Sequence, residues 1–127
     1  MAWTSARVAS AACTAEDMQL VKIDDQAEQD LVHATATEVF GQPRNFLIGA
    51  TDRDVQHQWV WPDGTPFWQG LGNGSAVGEQ FANWRNTQPD NADSTASIDE
   101  DCAIMEQAGT WDDKQCTDSF RFVCERY

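Results

Sequence analysis

Between Asn86 and Cys102 the chain reads NTQPDNADSTASIDEDC, and TWDDKQC follows at Thr110 to Cys116. Gln88, Asp90, Asn91, Asp93, Asp99, Glu100 and Asp101 crowd the first stretch, and Asp112 and Asp113 sit in the second. Calcium takes six to eight oxygen ligands at once, from carboxylates and from amide or backbone carbonyls, and irregular chain segments supply them well. If Cys102 bonds Cys116, the two stretches are pinned beside each other. Carboxylates brought together in that way repel unless a cation joins them. The competing reading is an acidic, solvated loop, because 21 acidic residues stand against 8 basic ones, for a formal net charge of −13.

That charge argues against a phosphate-binding surface, so no nucleic acid is expected as partner. No apolar run approaches the length needed to cross a bilayer, and no membrane insertion is expected. Paired carboxylates such as Glu100 and Asp113 could serve a glycosidase as acid and base. Nothing else in the sequence suggests catalysis, and both residues already belong to the candidate cation set. His33 falls in a helical segment and His57 in a turn, neither near a candidate nucleophile, so the chain is read as a non-enzyme with no catalytic residue.

The elements that must hold these residues are legible in outline. With 127 residues, 41% of them hydrophobic, the chain is read as one domain spanning 1–127. Trp3 to Cys13 is alanine-rich and reads as a short helix, and MQLVKI, Met18 to Ile23, as a buried strand. In DDQAEQDLVHATATEVF, Asp24 or Asp25 can cap a second helix, with Ala27, Leu31, Val32, Ala36 and Val39 recurring on one packed face. From Asn45 the helical period disappears. Short apolar runs take over, NFLIGAT, QWVW and FANW, then DCAIME, GTWDD and FRFVCE as antiparallel strands, broken by Gly, Pro, Asn and Asp. Helices first and strands afterwards make an α+β layout. Asn73-Gly74-Ser75 fits a glycosylation sequon, a pattern common by chance.

Cys13, Cys102, Cys116 and Cys124 form an even set without zinc-site spacing, which predicts two disulfides and an oxidising compartment. The opening MAWTSARVASAAC, with Arg7 inside it, does not read as a signal peptide. An extracellular or cell-surface location therefore implies a targeting segment outside this chain.

QPD, EDC, WDD, C and FVCE, in that order, resemble the second half of a C-type lectin-like domain. FLIGATD, WVWPDG and Asn83-Trp84 resemble that family's middle strands, and CTAEDMQLVKIDDQAEQDLV its two-helix first half. The resemblance implies an α+β C-type lectin-like fold: two helices flanking small antiparallel sheets, a long irregular calcium-binding loop region, and two disulfides, Cys13–Cys124 and Cys102–Cys116. It also implies that Gln88, Asp90, Glu100, Asp112 and Asp113 hold a principal calcium, and that Pro89 follows a cis bond turning Gln88 and Asp90 to the same side. An accessory calcium would fall on Asp52, Gln56, Asn91 and Asp101, where Gln56 and Asn91 replace expected acids and weaken the site. Trp111 becomes a core anchor beneath the site.

In that family two neighbouring sugar hydroxyls bind calcium, while the metal's ligands hydrogen-bond the same hydroxyls. The order of amide and acid about the proline selects the sugar, and Gln-Pro-Asp resembles the galactose and N-acetylgalactosamine type. Gln88, Asp90, Glu100 and Asp112 would then contact sugar. Two departures stand out. Asp112 occupies a position commonly held by Asn and cannot donate an amide hydrogen bond. Asn91, Ala92 and Asp93 follow the motif where galactose-type members usually place a stacking Trp, so Trp68 or Phe67, in a neighbouring loop, is the candidate substitute. These departures motivate an alternative in which the domain binds a protein or cell-surface glycoprotein without sugar selectivity. Only Met1 and Ala2 precede Trp3 where the family usually has a strand: either that strand is missing, leaving an edge along FRFVCE open to oligomer formation, or the chain is an excised fragment.

Overall fold

The computed structural model describes residues 5–91 and 100–126. Helix α1 (Ala6–Ala15) starts after Ser5 and continues past Cys13; Trp3, the expected start, lies outside the described residues. Its buried stripe is Ala6, Ala9 and Cys13, spaced three and four apart as one helix face requires. These small side chains let the helix settle against Leu20, Leu47, Cys102 and Ile104. Strand β1 (Met18–Leu20) is shorter than MQLVKI. Val21 and Ile23 are buried all the same, and Val21 uses its N–H on the Val123 carbonyl and its carbonyl on the Gly49 N–H.

Helix α2 (Gln26–Phe40) is capped by Asp25, whose carboxylate accepts the Glu28 N–H at 2.8 Å, and it ends at Gly41 in the left-handed region. The expected packed face is corrected here. Of the five residues assigned to it, Ala36 is buried and Val32 half-buried, whereas Leu31 and Val39 are 66% and 67% exposed. The helix is rotated to bury Gln29 instead, because Gln29 completes a polar network under the sheet. Its amide oxygen accepts the Trp111 indole N–H at 2.9 Å, and its Nε2 donates to the Gly109 carbonyl at 2.6 Å. An apolar groove remains between α2 and the end of the chain, lined by Leu31, Val39, Phe40 and Phe122 among others.

The main sheet follows the order β5-β4-β3-β2-β6-β7, with β2 (Phe46–Thr51), β3 (Gln58–Val60), β4 (Pro66–Gln69), β5 (Ser75–Ala76), β6 (Cys102–Met105) and β7 (Trp111–Lys114). PFWQ is thus a strand and not the loop expected for Phe67 and Trp68, and FANW contributes one bridge, Trp84 to Trp111. FRFVCE splits at Val123. Strand β8 (Arg121–Phe122) runs parallel to β2, and β9 (Cys124–Arg126) pairs antiparallel with β1 in a separate two-stranded sheet. The split follows from two anchors: the Val123 carbonyl is taken by Val21, and Cys124 is tied to Cys13. Both disulfides join the expected partners, Cys13–Cys124 and Cys102–Cys116.

Aromatic rings fill the space beneath the site. Trp59, Trp61, Phe67 and Trp111 are buried; Trp61 stacks on Phe67 at 4.5 Å and meets Trp111 edge-on at 5.6 Å. Gln29→Ala would strip the Trp111 indole N–H of its partner in this dry interior, while Gly109 keeps a hydrogen bond from Asn83. A loss of about 1–3 kcal/mol in urea-unfolding stability is expected. A change below about 0.5 kcal/mol would show that water replaces the amide.

Candidate functional site

The site is assembled by backbone pairing at Trp111. Its N–H donates to the Asn83 carbonyl at 2.9 Å, and the Arg85 N–H donates to the Trp111 carbonyl at 2.8 Å. The chain leaving Arg85 therefore turns back over β7. A cis peptide joins Gln88 to Pro89, and Thr87 and Asn91 on either side take left-handed φ values of 75° and 54°. For a β-branched threonine that conformation is strained. From the other side the β4–β5 turn closes on the same segment: Gly72 lies so near Thr87 that a Cβ there would run into the Thr87 carbonyl.

This folding brings Asp90, Asp112 and Asp113 together, with one carboxylate oxygen of each within 4.8 Å of the others. Asp113 is buried and clamps the loop, accepting the Asp90 N–H at 3.2 Å and the Asn91 N–H at 2.6 Å. Gln88 donates its amide N–H to Asp90 at 3.2 Å, while its side-chain amide oxygen is buried with no hydrogen-bond partner among the described residues. Glu100 is buried alongside, its N–H donating to the Asn91 side-chain oxygen at 2.9 Å. A carboxylate cluster edged by an orphaned amide oxygen fits a hard, oxygen-seeking cation. Asp99 and Asp93, which composition alone added to the set, lie outside the described residues.

The expected accessory residues are only partly united. Asp52 and Asp101 meet, and each keeps one buried carboxylate oxygen without a hydrogen-bond partner among the described residues; the other Asp52 oxygen accepts the His57 N–H at 2.9 Å. Asn91 is engaged with Asp113 and Glu100, and Gln56 is exposed. For the sugar-stacking role, Phe67 is corrected: it is fully buried and unable to meet a ligand. Trp68 is half-buried on β4, its indole N–H donating to the Leu71 carbonyl at 3.1 Å, and it lines a small cleft of about 220 Å³ with Trp84, Arg85 and Gln88.

Two residues of the site escaped sequence reasoning. Arg85 and Lys114 each place a nitrogen 3.2 Å from the same Asp112 oxygen. Lys114 had a signal, since it stands two residues from Asp112 on a strand and so shares its face. Arg85 had none, because only the Trp84–Trp111 bridge carries it there.

The residues and their arrangement match a known family. The family model described as the lectin C-type domain covers residues 3–126. The chain belongs to the C-type lectin domain family. Members are binding domains and not enzymes, in keeping with the absence of any assigned catalytic residue. The chain is 31% identical over 127 residues to hepatic lectin of Gallus gallus, covering 99% of this chain and 50% of the relative. It is 33% identical over 115 residues to asialoglycoprotein receptor 2 of Mus musculus, covering 90% and 33%. The chain thus spans half or less of the length of these curated relatives. Among solved structures, the mouse scavenger receptor C-type lectin carbohydrate-recognition domain superposes with a TM-score of 0.80 at 29% identity, over 100% of this chain and 87% of the other. The acidic cluster of Asp90, Asp112 and Asp113 is consistent with a calcium site of this C-type lectin fold. Among the described residues no helix is long and apolar enough to cross a membrane.

Burial dominates the electrostatics of the site. It lifts Asp52 to about 7, with the neighbouring Asp101 carboxyl adding to the effect and the His57 N–H opposing it. It lifts Glu100 to about 8, helped by the charges of Asp113, Asp112 and Asp90 against that of Lys114. It lifts Asp113 to about 7, although the N–H groups of Asn91 and Asp90 pull the other way. In the unfolded chain these groups titrate near 3.8 and 4.5. The metal-free fold therefore binds more protons than the unfolded chain between about pH 4 and 8, and stability falls as pH rises through that window. In chelator, the melting temperature is expected to be higher near pH 5 than near pH 8. Calcium should reverse the slope, because the ion binds the deprotonated forms. A metal-free melting temperature that climbs from pH 5 to 8 would reject this account.

Proposed function

We propose that residues 1–127 form one calcium-dependent carbohydrate-binding domain that takes galactose-type sugars and works outside the cell or at its surface. The observation that carries the reading is the meeting of Asp90, Asp112 and Asp113 beside the unpartnered Gln88 amide oxygen in a C-type lectin fold. Gln88, Asp90, Glu100, Asp112 and Asp113 would hold the principal calcium. Asp52 and Asp101, with Asn91 and Gln56, would form a weaker accessory site with fewer charged ligands. Bound calcium would supply coordination for two neighbouring hydroxyls of a sugar.

The chain's own groups set which hydroxyls fit. Gln88 gives one amide N–H to Asp90 and has a second to offer a sugar oxygen, while Asp90 and Glu100 accept hydrogen bonds. Donor before the proline and acceptor after it is the Gln-Pro-Asp order, which favours galactose and N-acetylgalactosamine over mannose. Asp112 accepts and cannot donate, which removes one of the family's contacts. Trp68, on the cleft wall shared with Trp84 and Gln88, would meet the apolar face of a ring.

The test is a calorimetric titration of calcium into stripped protein, followed by N-acetylgalactosamine and mannose on the calcium form. N-acetylgalactosamine is expected to bind and mannose to bind at least about tenfold more weakly, a difference of about 1.4 kcal/mol. Asp90→Ala or chelator should abolish sugar binding. Calcium binding without any sugar response would favour a protein or cell-surface glycoprotein as the ligand, a reading supported by the absence of an aromatic residue at Asn91, Ala92 and Asp93.

A further inference from the structure

Lys and Arg number only eight in a chain of 21 acidic residues, yet two of them converge on a single carboxylate oxygen of the site. Arg85 Nη2 and Lys114 Nζ both lie 3.2 Å from Asp112 Oδ2, on a side chain only 6% exposed. Arg85 is held in place from behind by Glu106, at 2.9 Å. Among the described residues no ion pair reaches Glu100 or Asp113. Both cations therefore contact Asp112 directly, while the Lys114 charge reaches Glu100 only at longer range.

We propose that Arg85 and Lys114 form an internal counter-cation for Asp112 that competes with calcium and weakens its binding. The inference rests on the calcium reading of the site. In the metal-free domain the pair satisfies a nearly buried carboxylate that would otherwise face Asp90 and Asp113 unaided. Calcium must then share Asp112 with two cations, so both the disturbed pairing and the repulsion between like charges oppose its entry. An asparagine at 112 could coordinate through its carbonyl but would hold neither cation as an ion-pair partner. Asp112, Lys114 and Arg85 thus act as a unit that makes calcium easier to release.

The inference is tested by calorimetric calcium titration of the wild-type chain and of Lys114→Met, Arg85→Gln, Asp112→Asn and the double variant Asp112→Asn with Lys114→Met. Lys114→Met and Arg85→Gln should each bind calcium about two- to fivefold more tightly than wild type, the range expected for a partly exposed ion pair. Each should melt at a lower temperature in chelator. Lys114→Arg should restore wild-type affinity. In the Asp112→Asn background the gain from Lys114→Met should shrink, because the shared carboxylate is gone. Unchanged or weaker calcium binding by Lys114→Met with a native near-UV spectrum overturns the inference and leaves the calcium site standing. A gain of equal size in both backgrounds also overturns it, showing a general charge effect that does not pass through Asp112. Failure of the wild-type chain to bind calcium rejects the calcium reading itself and this inference with it.

Discussion

Two backbone hydrogen bonds at Trp111 hold the functional half of the molecule together. By binding Asn83 and Arg85 on either side, Trp111 lays an irregular segment along β7, and that placement turns Gln88 and Asp90 onto Asp112 and Asp113. The same residue sends its indole into the core, where Gln29 of α2 accepts its N–H. A line of dependence therefore runs from the rotation of a helix, through one buried amide, to the position of a surface carboxylate cluster. Local sequence could not hold that cluster alone, since its members repel and its loop takes positive φ at Thr87 and Asn91.

Burial and charge pull in opposite directions at this site. The aromatic layer below removes water from the carboxylates, so their charged forms become costly and Glu100, Asp113 and Asp52 bind protons far above the usual carboxylate range. The β6–β7 ladder, in which Cys102 faces Lys114, and the Cys102–Cys116 bond keep the groups from drifting apart. Asp112 ion-pairs directly with Arg85 and Lys114, and the Lys114 charge also reaches Glu100. In the proposed reading, bound calcium would relieve the repulsion that remains among these confined carboxylates.

Much of this was legible in the sequence, for reasons that differ by residue. Gln88, Asp90, Asp112 and Asp113 can be named because they fall in two short acidic stretches that each end at a cysteine. The disulfide pairing and the cis peptide came from the family resemblance, because nothing in composition selects them. Strands such as FLIGAT and CAIM announced themselves as apolar runs between turn residues. The face of α2 was misjudged: Leu31 and Val39 carry the right period, but the helix turns Gln29 inward to meet an indole 82 residues away. FRFVCE looked like one strand, and only a disulfide and a backbone bond from Val21 divide it between two sheets. Phe67 and Trp68 read as loop residues in the sequence because Pro and Gly surround a strand of four residues.

The aromatic residues explain the balance between stability and recognition. Trp59, Trp61, Phe67 and Trp111 lie inside, and Trp84 is wedged against Trp59, Phe67, Trp68 and Trp111 at centroid distances between 4.9 and 6.5 Å. Nearly all of this apolar area stabilises the platform beneath the acidic cluster. Among these rings, Trp68 and Trp84 line the cleft beside Gln88, and the Trp68 indole N–H is already committed to Leu71. In the proposed reading, discrimination must then come mainly from the order of donor and acceptor at Gln88 and Asp90, with little stacking to reinforce it. Such a site gains selectivity from geometry but little affinity from burial. Tight attachment to a glycan-bearing surface would therefore depend on several copies engaging at once, where each contact raises the effective concentration for the next.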